Sequence, residues 1–178
     1  RITHYALRRP VIKQGSIIIK IEGCFVPGHW LDPGQFGCLG AGSGFAAAAQ
    51  LARPGKQVAI VYGDGGFGLT GFDVESYVRH GLPIVSIVGN NGSWNQTTQG
   101  VLKRTGRAIG TYLNQEVDYA KIMDAMGGYG ERVTDPGEIK PALDRAFTSG
   151  KAAVIDVVID QEIGYGMMGG RSRQSRQY

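Results

Sequence analysis

The stretch VYGDGGFGLTG, residues 61–71, places a single carboxylate, Asp64, among glycines directly after an apolar run. An acid in a glycine-rich loop is often an ordinary turn, because glycine adopts positive φ and aspartate accepts hydrogen bonds from nearby amides. The preceding run, QVAIVY (57–62), is typical of a strand buried on both faces. We therefore expect Asp64 at the carboxyl end of a buried strand, which is where α/β domains bind ligands.

Short β-branched runs alternate with helical segments along the chain. We predict strands within residues 16–22, 57–62, 83–89 and 152–159. We predict helices within residues 41–55, 70–81, 117–128 and 135–150. The polar stretch 90–116 lacks periodicity and is expected to be a long functional loop. This alternation predicts the α/β class, with a doubly wound parallel sheet and helices on both faces.

Composition excludes several classes of protein. The 178 residues carry a net charge of +4, and no basic stripe interleaves with aromatic residues, so we expect no nucleic-acid partner. No apolar run is long enough for a membrane span, and the first ten residues lack the apolar region of a secretory signal. Cys24 and Cys38 have no metal-like spacing and fit a reduced compartment, so a cytoplasmic location is expected.

A second polar pair follows the strand predicted at 83–89. Asn90 and Asn91 precede Gly92 there, so two neighbouring strands each end in an oxygen ligand. Mg²⁺ takes about six oxygen ligands and is normally completed by substrate phosphates and water. The glycines at 65, 66 and 92 leave backbone amides free to approach those phosphates. The residues point to Mg²⁺ with a diphosphate, and two ordinary turns remain the alternative.

The spacing of these two motifs is similar to that of thiamine diphosphate enzymes. GDG at 63–65 is followed after 24 residues by NN at 90–91. The longer stretch 31–96 resembles the C-terminal, diphosphate-binding domain of acetolactate synthase-like enzymes, closest to the branch of 2-hydroxyacyl-CoA lyase and oxalyl-CoA decarboxylase. Residues 127–160 resemble the end of the same domain. The resemblance implies a thiamine diphosphate-binding fold over residues 1–160 and a tail at 161–178 that is a possible lid.

The resemblance also implies roles for individual residues. Mg²⁺ would be held by the side chains of Asp64 and Asn91 and by the backbone carbonyl of Ser93. The cofactor-binding set would comprise Gly37, Cys38, Leu39, Gly63, Asp64, Gly65, Gly66, Asn91, Gly92, Ser93 and Trp94. Gly37 would offer its carbonyl to the amino group of the pyrimidine. Leu39 would force the two rings of the cofactor into a V, and the alternative for Leu39 is a core leucine.

The implied activity is that of a carbon–carbon lyase dependent on thiamine diphosphate and Mg²⁺. We expect cleavage of a 2-hydroxyacyl-CoA to an aldehyde and formyl-CoA, or the reverse acyloin condensation. The alternatives are an acetolactate synthase-like or oxalyl-CoA decarboxylase-like enzyme acting on 2-oxo acids, and a non-catalytic, cofactor-binding regulatory module. A nicotinamide dinucleotide site is disfavoured, because GAGSG (40–44) follows no predicted strand.

The resemblance implies partners as well. Relatives use a glutamate from a pyrimidine-binding domain, and no glutamate of this chain matches that motif. We therefore expect the pyrimidine-binding domain to come from a longer chain or another subunit, within a homodimer or homotetramer. The middle domain of relatives is also absent from these 178 residues. The family helix expected near residues 20–28 is missing, so this junction is either deleted or incompletely recorded.

Several further residues have two interpretations each. Trp94, Asn95 and Gln96 either line the active site or follow it as ordinary loop residues. His29 either faces the substrate or is a loop histidine, and His80 is expected to end a helix. His4 is uninformative. Coenzyme A phosphates would suit the arginines of the tail, which otherwise form an ordinary basic terminus: Arg171, Arg173 and Arg176.

Overall fold

The computed structural model describes residues 16–20, 30–31 and 37–162. Predictions that fall on other residues lie outside the described part of the chain. These are the junction at 21–29, His4, Cys24, His29, and the tail arginines Arg171, Arg173 and Arg176. Within the described ranges, no helix has both the length and the apolar character needed to span a bilayer.

One six-stranded sheet forms the centre of the domain. Its strands are β1 (Ser16–Lys20), β2 (Trp30–Leu31), β3 (Gln57–Gly63), β4 (Ile84–Asn90), β5 (Tyr129–Val133) and β6 (Ala153–Val158). Their order across the sheet is β2-β1-β3-β4-β6-β5. Strands β3, β4, β6 and β5 are parallel to one another. These four strands form the parallel part of the sheet, and the predicted α/β class is thus confirmed.

Strand β1 corrects one detail of the predicted sheet. It was predicted as a parallel strand, but it pairs antiparallel with β3, with Ile18 opposite Ala59. Its other neighbour, β2, is antiparallel as well. A continuous apolar run indicates burial on both faces and carries no information about direction, so the sequence pattern fitted either orientation. For the pair β1 and β2, the connection from Lys20 to Trp30 is also too short for a parallel crossover.

In the part of the chain that the structure describes, six helices connect or flank the strands. They are α1 (Gly42–Ala52), α2 (Asp64–Thr70), α3 (Val74–Arg79), α4 (Asn95–Thr105), α5 (Ala120–Ala125) and α6 (Ile139–Thr148). Turns of 3-10 helix occupy Gly71–Asp73 and Pro136–Glu138. The helices predicted within 41–55, 117–128 and 135–150 are confirmed. The carboxylate of Asp135 accepts a hydrogen bond from the amide of Gly137 over 2.8 Å, as an N-cap does.

One helix prediction and one loop prediction were wrong in extent. The segment predicted as one helix over 70–81 is divided between a 3-10 turn and α3, and helix already begins at Asp64, inside the glycine-rich stretch. The stretch 90–116, predicted as a loop, contains the 11 residues of α4. Polar residues dominate α4, so it has no continuous apolar face to produce helical periodicity. Gly106 ends α4 in the left-handed conformation, with φ +68°.

Apolar side chains cover both faces of the parallel sheet. On one face, Ile60 and Val88 pack with α1, α2, α3 and α5. On the other face, Val85 and Ile155 pack with α6. This division confirms the doubly wound arrangement, with helices on both faces. It leaves the carboxyl ends of β3 and β4 as the place where polar side chains gather.

Candidate functional site

The three predicted metal-binding residues meet at the carboxyl ends of β3 and β4. These strands are in parallel register, with Gly63 opposite Gly89, so the residues that follow them share one edge of the sheet. Asp64 Oδ2 and Asn91 Oδ1 both accept a hydrogen bond from the amide of Ser93, each over 3.2 Å. A carboxylate oxygen and an amide oxygen therefore converge on one point, as the sequence predicted.

Asp64 is a buried carboxylate surrounded by backbone amides. Its relative exposure is 1%, and Oδ1 accepts a hydrogen bond from the amide of Gly65 over 2.8 Å. Burial raises the pKa of Asp64, and hydrogen bonds from the amides of residues 65 and 91–93 oppose that rise only in part. Among the described residues, no lysine, arginine or histidine forms an ion pair with Asp64. A buried negative charge here lacks a cation from the described chain.

The carbonyl of Ser93 lies on the same side as its amide. Trp94 N donates to Thr111 O over 2.8 Å, and Leu113 N donates to Gly92 O over 2.7 Å. Ser93 and Tyr112 form an antiparallel bridge between these two bonds. In such a pair the amide and the carbonyl both face away from the opposite strand. Since the amide of Ser93 faces Asp64, its carbonyl is available on that side too.

The donor chemistry of this cluster fits a hard cation. The part of the chain that the structure describes has no group of three or more His, Cys, Asp or Glu side chains able to hold a metal ion. A site at Asp64 must therefore use neutral oxygens beside one carboxylate, here the amide of Asn91 and the carbonyl of Ser93. Oxygen-only sites with few protein ligands suit Mg²⁺ completed by phosphate and water.

The neighbouring glycines differ in the space around them. A Cβ on Gly65 would lie 2.8 Å from the ring of Trp94, and one on Gly92 would lie 2.8 Å from the Cβ of Gln115. Gly92 also has φ +63°, which disfavours any other residue. A Cβ on Gly66 would meet no atom within 4 Å. The site is therefore packed on the sides of Gly65 and Gly92 and open at Gly66.

The segment Gly37–Leu39 lies beside the far end of α2. The carbonyl of Gly40 accepts a hydrogen bond from Thr70 Oγ1 over 3.1 Å, and Thr70 is the last residue of the helix that begins with Asp64. Leu39 is 38% exposed, and Cys38 beside it is also exposed. Leu39 is therefore outside the hydrophobic core, which counts against its interpretation as a core leucine.

The other predicted residues occupy less informative positions. Trp94 precedes α4, and Asn95 and Gln96 form its first turn. Thr98, two residues further on, links its hydroxyl to those of Ser93 and Thr111, each over 2.8 Å. His80 is the exposed residue that ends α3, as expected.

A buried polar network that the sequence pattern does not predict lies next to the site. Asn90, the first of the two asparagines, does not face Asp64. Its side chain donates to the carbonyl of Val117 over 2.9 Å and lies 3.4 Å from Asp156 Oδ2. Asp156 in turn pairs with Arg132. The residue that could have indicated this network from the sequence is Asp156. It lies inside the apolar run AAVIDVVI, and a carboxylate in a buried run needs a polar partner.

Two surface depressions lie away from this cluster. One, of about 430 Å³, is lined by Tyr129, Asp144, Arg145, Thr148 and Ser149. The other, of about 220 Å³, lies beyond the ends of β5 and β6 and is lined mainly by residues 133–136 and 157–160. Neither contains Asp64, Asn91 or Ser93. The convergent oxygens, rather than the depth of a pocket, mark the candidate site.

Comparison with known proteins identifies similar sequences over most of the chain. The sequence profile of the family described as "Thiamine pyrophosphate enzyme, C-terminal TPP binding domain" matches residues 17–157. A probable acetolactate synthase of Mycobacterium bovis is 42% identical over 151 residues, which cover 85% of this chain and 28% of that protein. A 2-hydroxyacyl-CoA lyase 2 of Danio rerio is 34% identical over 165 residues, which cover 84% of this chain and 26% of that protein.

Two further proteins extend this picture. A 2-hydroxyacyl-CoA lyase of Oryza sativa is 39% identical over 142 residues, covering 75% of this chain and 24% of that protein. The solved structure of a benzoylformate decarboxylase from Polynucleobacter necessarius matches with a TM-score of 0.63 and 24% identity, covering 71% of this chain and 25% of that one. At that identity the structure supports the fold alone. The chain thus spans about a quarter of the length of the proteins it matches.

Proposed function

Since this chain belongs to the family of C-terminal TPP binding domains of thiamine pyrophosphate enzymes, we propose that it holds thiamine diphosphate through Mg²⁺ in a carbon–carbon lyase. The observation that carries this proposal is the buried carboxylate of Asp64, which has no cationic side chain beside it in the described chain and faces two neutral oxygen ligands. The proposed substrate is a 2-hydroxyacyl-CoA, cleaved to an aldehyde and formyl-CoA or formed from them.

The metal site follows from the charge at Asp64. The side chains of Asp64 and Asn91 and the carbonyl of Ser93 would hold Mg²⁺ on the side where all three face. The ion would compensate a carboxylate that is otherwise desolvated without a counterion. The diphosphate would complete the coordination, because Mg²⁺ in such sites keeps few protein ligands.

The rest of the cofactor would extend from Gly66 towards Gly37–Leu39. Gly66 offers open space beside Asp64, which leaves room for the diphosphate. The exposed Leu39 is free to support the cofactor at its bend, and Gly37 to offer its carbonyl to the pyrimidine. When bound, thiamine diphosphate supplies the electron sink for breaking a carbon–carbon bond next to a carbonyl. The role of these residues is to orient it.

Relatives of two kinds support two substrate classes. The 2-hydroxyacyl-CoA lyases match at 34% and 39% identity and support an acyl-CoA substrate. The probable acetolactate synthase matches at 42% and supports free 2-oxo acids as the second candidate. An oxalyl-CoA decarboxylase-like reaction belongs to the same group of alternatives. The residues that contact the substrate beyond the cofactor therefore decide between these classes.

The remaining parts of the enzyme are proposed partners. The proteins matched are about four times longer than the matched region, so further domains or subunits are expected to complete the active site. Leu69, near the end of α2, and Phe72, in the 3-10 turn that follows, are 59% and 76% exposed and suit burial against such a partner. We propose that this partner is the pyrimidine-binding domain, within a homodimer or homotetramer.

The experiment that tests the substrate class uses the complete protein with thiamine diphosphate and Mg²⁺. A 2-hydroxyacyl-CoA and a free 2-oxo acid are supplied separately, and formyl-CoA and carbon dioxide are measured. Formyl-CoA from the first supports the proposed lyase, and carbon dioxide from the second alone supports the acetolactate synthase-like candidate. Cofactor binding with neither product would favour a non-catalytic module.

A further inference from the structure

Arg132 and Asp156 form an ion pair between two strands of the sheet. These residues are register partners on the adjacent strands β5 and β6, and Arg132 Nη1 lies 3.1 Å from Asp156 Oδ2. Asp156 is fully buried, and the Arg132 side chain is 22% exposed. The planar guanidinium is held in one geometry, because several acceptors bind different donors of the same rigid fork.

The remaining donors of Arg132 hold the segment that crosses the end of the sheet. Nη1 donates to the carbonyl of Val117 over 2.6 Å, and Nη2 donates to the carbonyl of Gln115 over 2.8 Å. The side chain of Asn90 donates to the same two carbonyls, over 2.9 and 3.3 Å. Arg132 of β5 and Asn90 of β4 therefore both bind the backbone of residues 115–117. Asn90 directly precedes Asn91, one of the proposed metal ligands.

Gln115 passes this constraint to the loop that carries the proposed metal ligands. Its Nε2 donates to the carbonyl of Asn90 over 3.2 Å and to that of Ile159 over 2.8 Å. Its own Cβ occupies the space that a side chain on Gly92 would need. The amide of Leu113, two residues earlier, donates to the carbonyl of Gly92 over 2.7 Å. The segment 111–117 thus forms one wall of the loop 91–93.

We propose that Arg132 and Asp156 are positioning residues for the metal-binding loop, and that they act through Gln115. The inference rests on the proposed function, because it concerns the Mg²⁺ site at Asp64. Arg132 does not touch the cofactor site. It fixes the backbone against which residues 91–93 pack, and Asp156 fixes the guanidinium. Groups that orient metal ligands typically change metal affinity by about 10–100-fold when they are altered.

The guanidinium fork is the part that lysine cannot replace. A lysine at 132 keeps the positive charge for Asp156, but one ammonium cannot reach the carbonyls of Gln115 and Val117 together in a planar fork. If the pair only stabilises the fold, Arg132→Lys keeps most of its contribution to the stability of the protein and leaves Mg²⁺ binding unchanged. If the pair positions the loop, lysine leaves the fold largely intact and still weakens Mg²⁺ binding. The conservative variant therefore separates the two roles.

The test compares Arg132→Lys with Arg145→Lys in the complete protein. Arg145 of α6 pairs with Glu131, the strand neighbour of Arg132, so it is the same substitution in a second ion pair, one that joins β5 to α6. Mg²⁺ is titrated calorimetrically at saturating thiamine diphosphate, well below the melting temperature. We expect at least about a tenfold higher Kd for Arg132→Lys and less than about a twofold change for Arg145→Lys. Gln115→Ala should reproduce the effect of Arg132→Lys.

Hydrogen exchange of the cofactor-free protein gives a second readout. The amides of Leu113 and Trp94, which bond to the two sides of the loop, should exchange faster in Arg132→Lys than in wild type. If wild type fails to bind the cofactor but this exchange still accelerates, the proposed function falls and the positioning of the loop stands. If exchange at these amides is unchanged, or if wild type and both variants bind Mg²⁺ equally, the inference is overturned.

Discussion

Two buried aspartates at the same end of the sheet differ in whether a cationic side chain compensates their negative charge. Asp64 follows β3 and Asp156 lies within β6, with relative exposures of 1% and 0%. Burial raises the pKa of both carboxyl groups. Asp156 pairs with Arg132 over 3.1 Å, whereas Asp64 has only backbone amides as partners among the described residues.

The difference separates a charge that the chain itself compensates from one that the described chain leaves without a counterion. A carboxylate buried for the fold alone needs a counterion from the chain, because an uncompensated charge in the interior is costly. Asp156 meets this requirement and Asp64 does not. A site that leaves its carboxylate uncompensated is prepared for a cation from outside, which is the physical basis for placing Mg²⁺ at Asp64 rather than at Asp156.

The largest expected effect comes from breaking the structural pair. Arg132→Met removes the cation and leaves Asp156 buried and unpaired, so we expect a loss of about 3 kcal/mol in the free energy of unfolding. Asp64→Ala removes no ion pair and should cost clearly less in the absence of Mg²⁺. Urea denaturation of both cofactor-free variants measures this, and equal losses would remove the distinction between the two aspartates.

The next effect concerns the loop that joins the two regions. Gly92→Ala forces a residue with a side chain to φ +63° and against Gln115, so a loss of about 1–3 kcal/mol is expected, together with weaker cofactor binding. Gly66→Ala is the matched control for the stability of the cofactor-free protein alone, because its Cβ meets open space in a helix and should not lower the melting temperature. Thermal melting compares the two. A stable Gly92→Ala variant would mean that Gln115 does not confine the loop.

The pH dependence of stability should reveal the uncompensated charge. The pKa of Asp64 in the folded state is raised above its ordinary value of 3.8. A raised carboxyl pKa favours the folded state below the ordinary pKa, and this contribution is lost as the pH rises through the raised value. Without Mg²⁺, wild type should therefore lose stability relative to Asp64→Asn as the pH rises from about 3.8 towards neutrality. A difference that is independent of pH would contradict this.

The smallest effect is expected at an exposed pair on the other face of β5. Arg145, which donates to Glu131 over 3.1 Å, holds the pKa of Glu131 below its ordinary value of 4.5. The contribution of this pair is present above that value and is lost as the pH falls through the lowered pKa. Glu131→Gln should cost less than about 1 kcal/mol at neutral pH and nothing at low pH. Melting curves of the two proteins against pH measure it, and cofactor binding should be unaffected.

The sequence predicted the part of the site that depends on strand ends. Asp64 and Asn91 follow two apolar runs, and parallel register alone brings such positions together. Strand β5 was missed, because Tyr129–Val133 has no apolar alternation and its burial comes from neighbours that are distant in sequence. The polar helix α4 was missed for a related reason, since few of its side chains are buried.

The hydrogen-bond network around Arg132 could not be predicted from the sequence pattern. Gln115, Arg132 and Asp156 are far apart in the chain, and only the order β4-β6-β5 brings them together. A sheet order that departs from chain order is set by tertiary packing, which local propensity does not report. The antiparallel direction of β1 is likewise set by tertiary packing and not by local sequence. The order of residues therefore indicated the proposed metal ligands, and the topology of the sheet was needed to find the side chains that contact the loop carrying them.

The most direct test of the account is a calorimetric titration of thiamine diphosphate into the complete protein, with and without Mg²⁺. Wild type, Asp64→Ala and the control Asp144→Ala, an exposed aspartate that pairs with Lys140, are compared. We expect binding that requires Mg²⁺ in wild type and in the control and that is lost in Asp64→Ala. Binding that does not depend on Mg²⁺, or that Asp64→Ala retains, would contradict the assignment of Asp64 as a ligand of Mg²⁺.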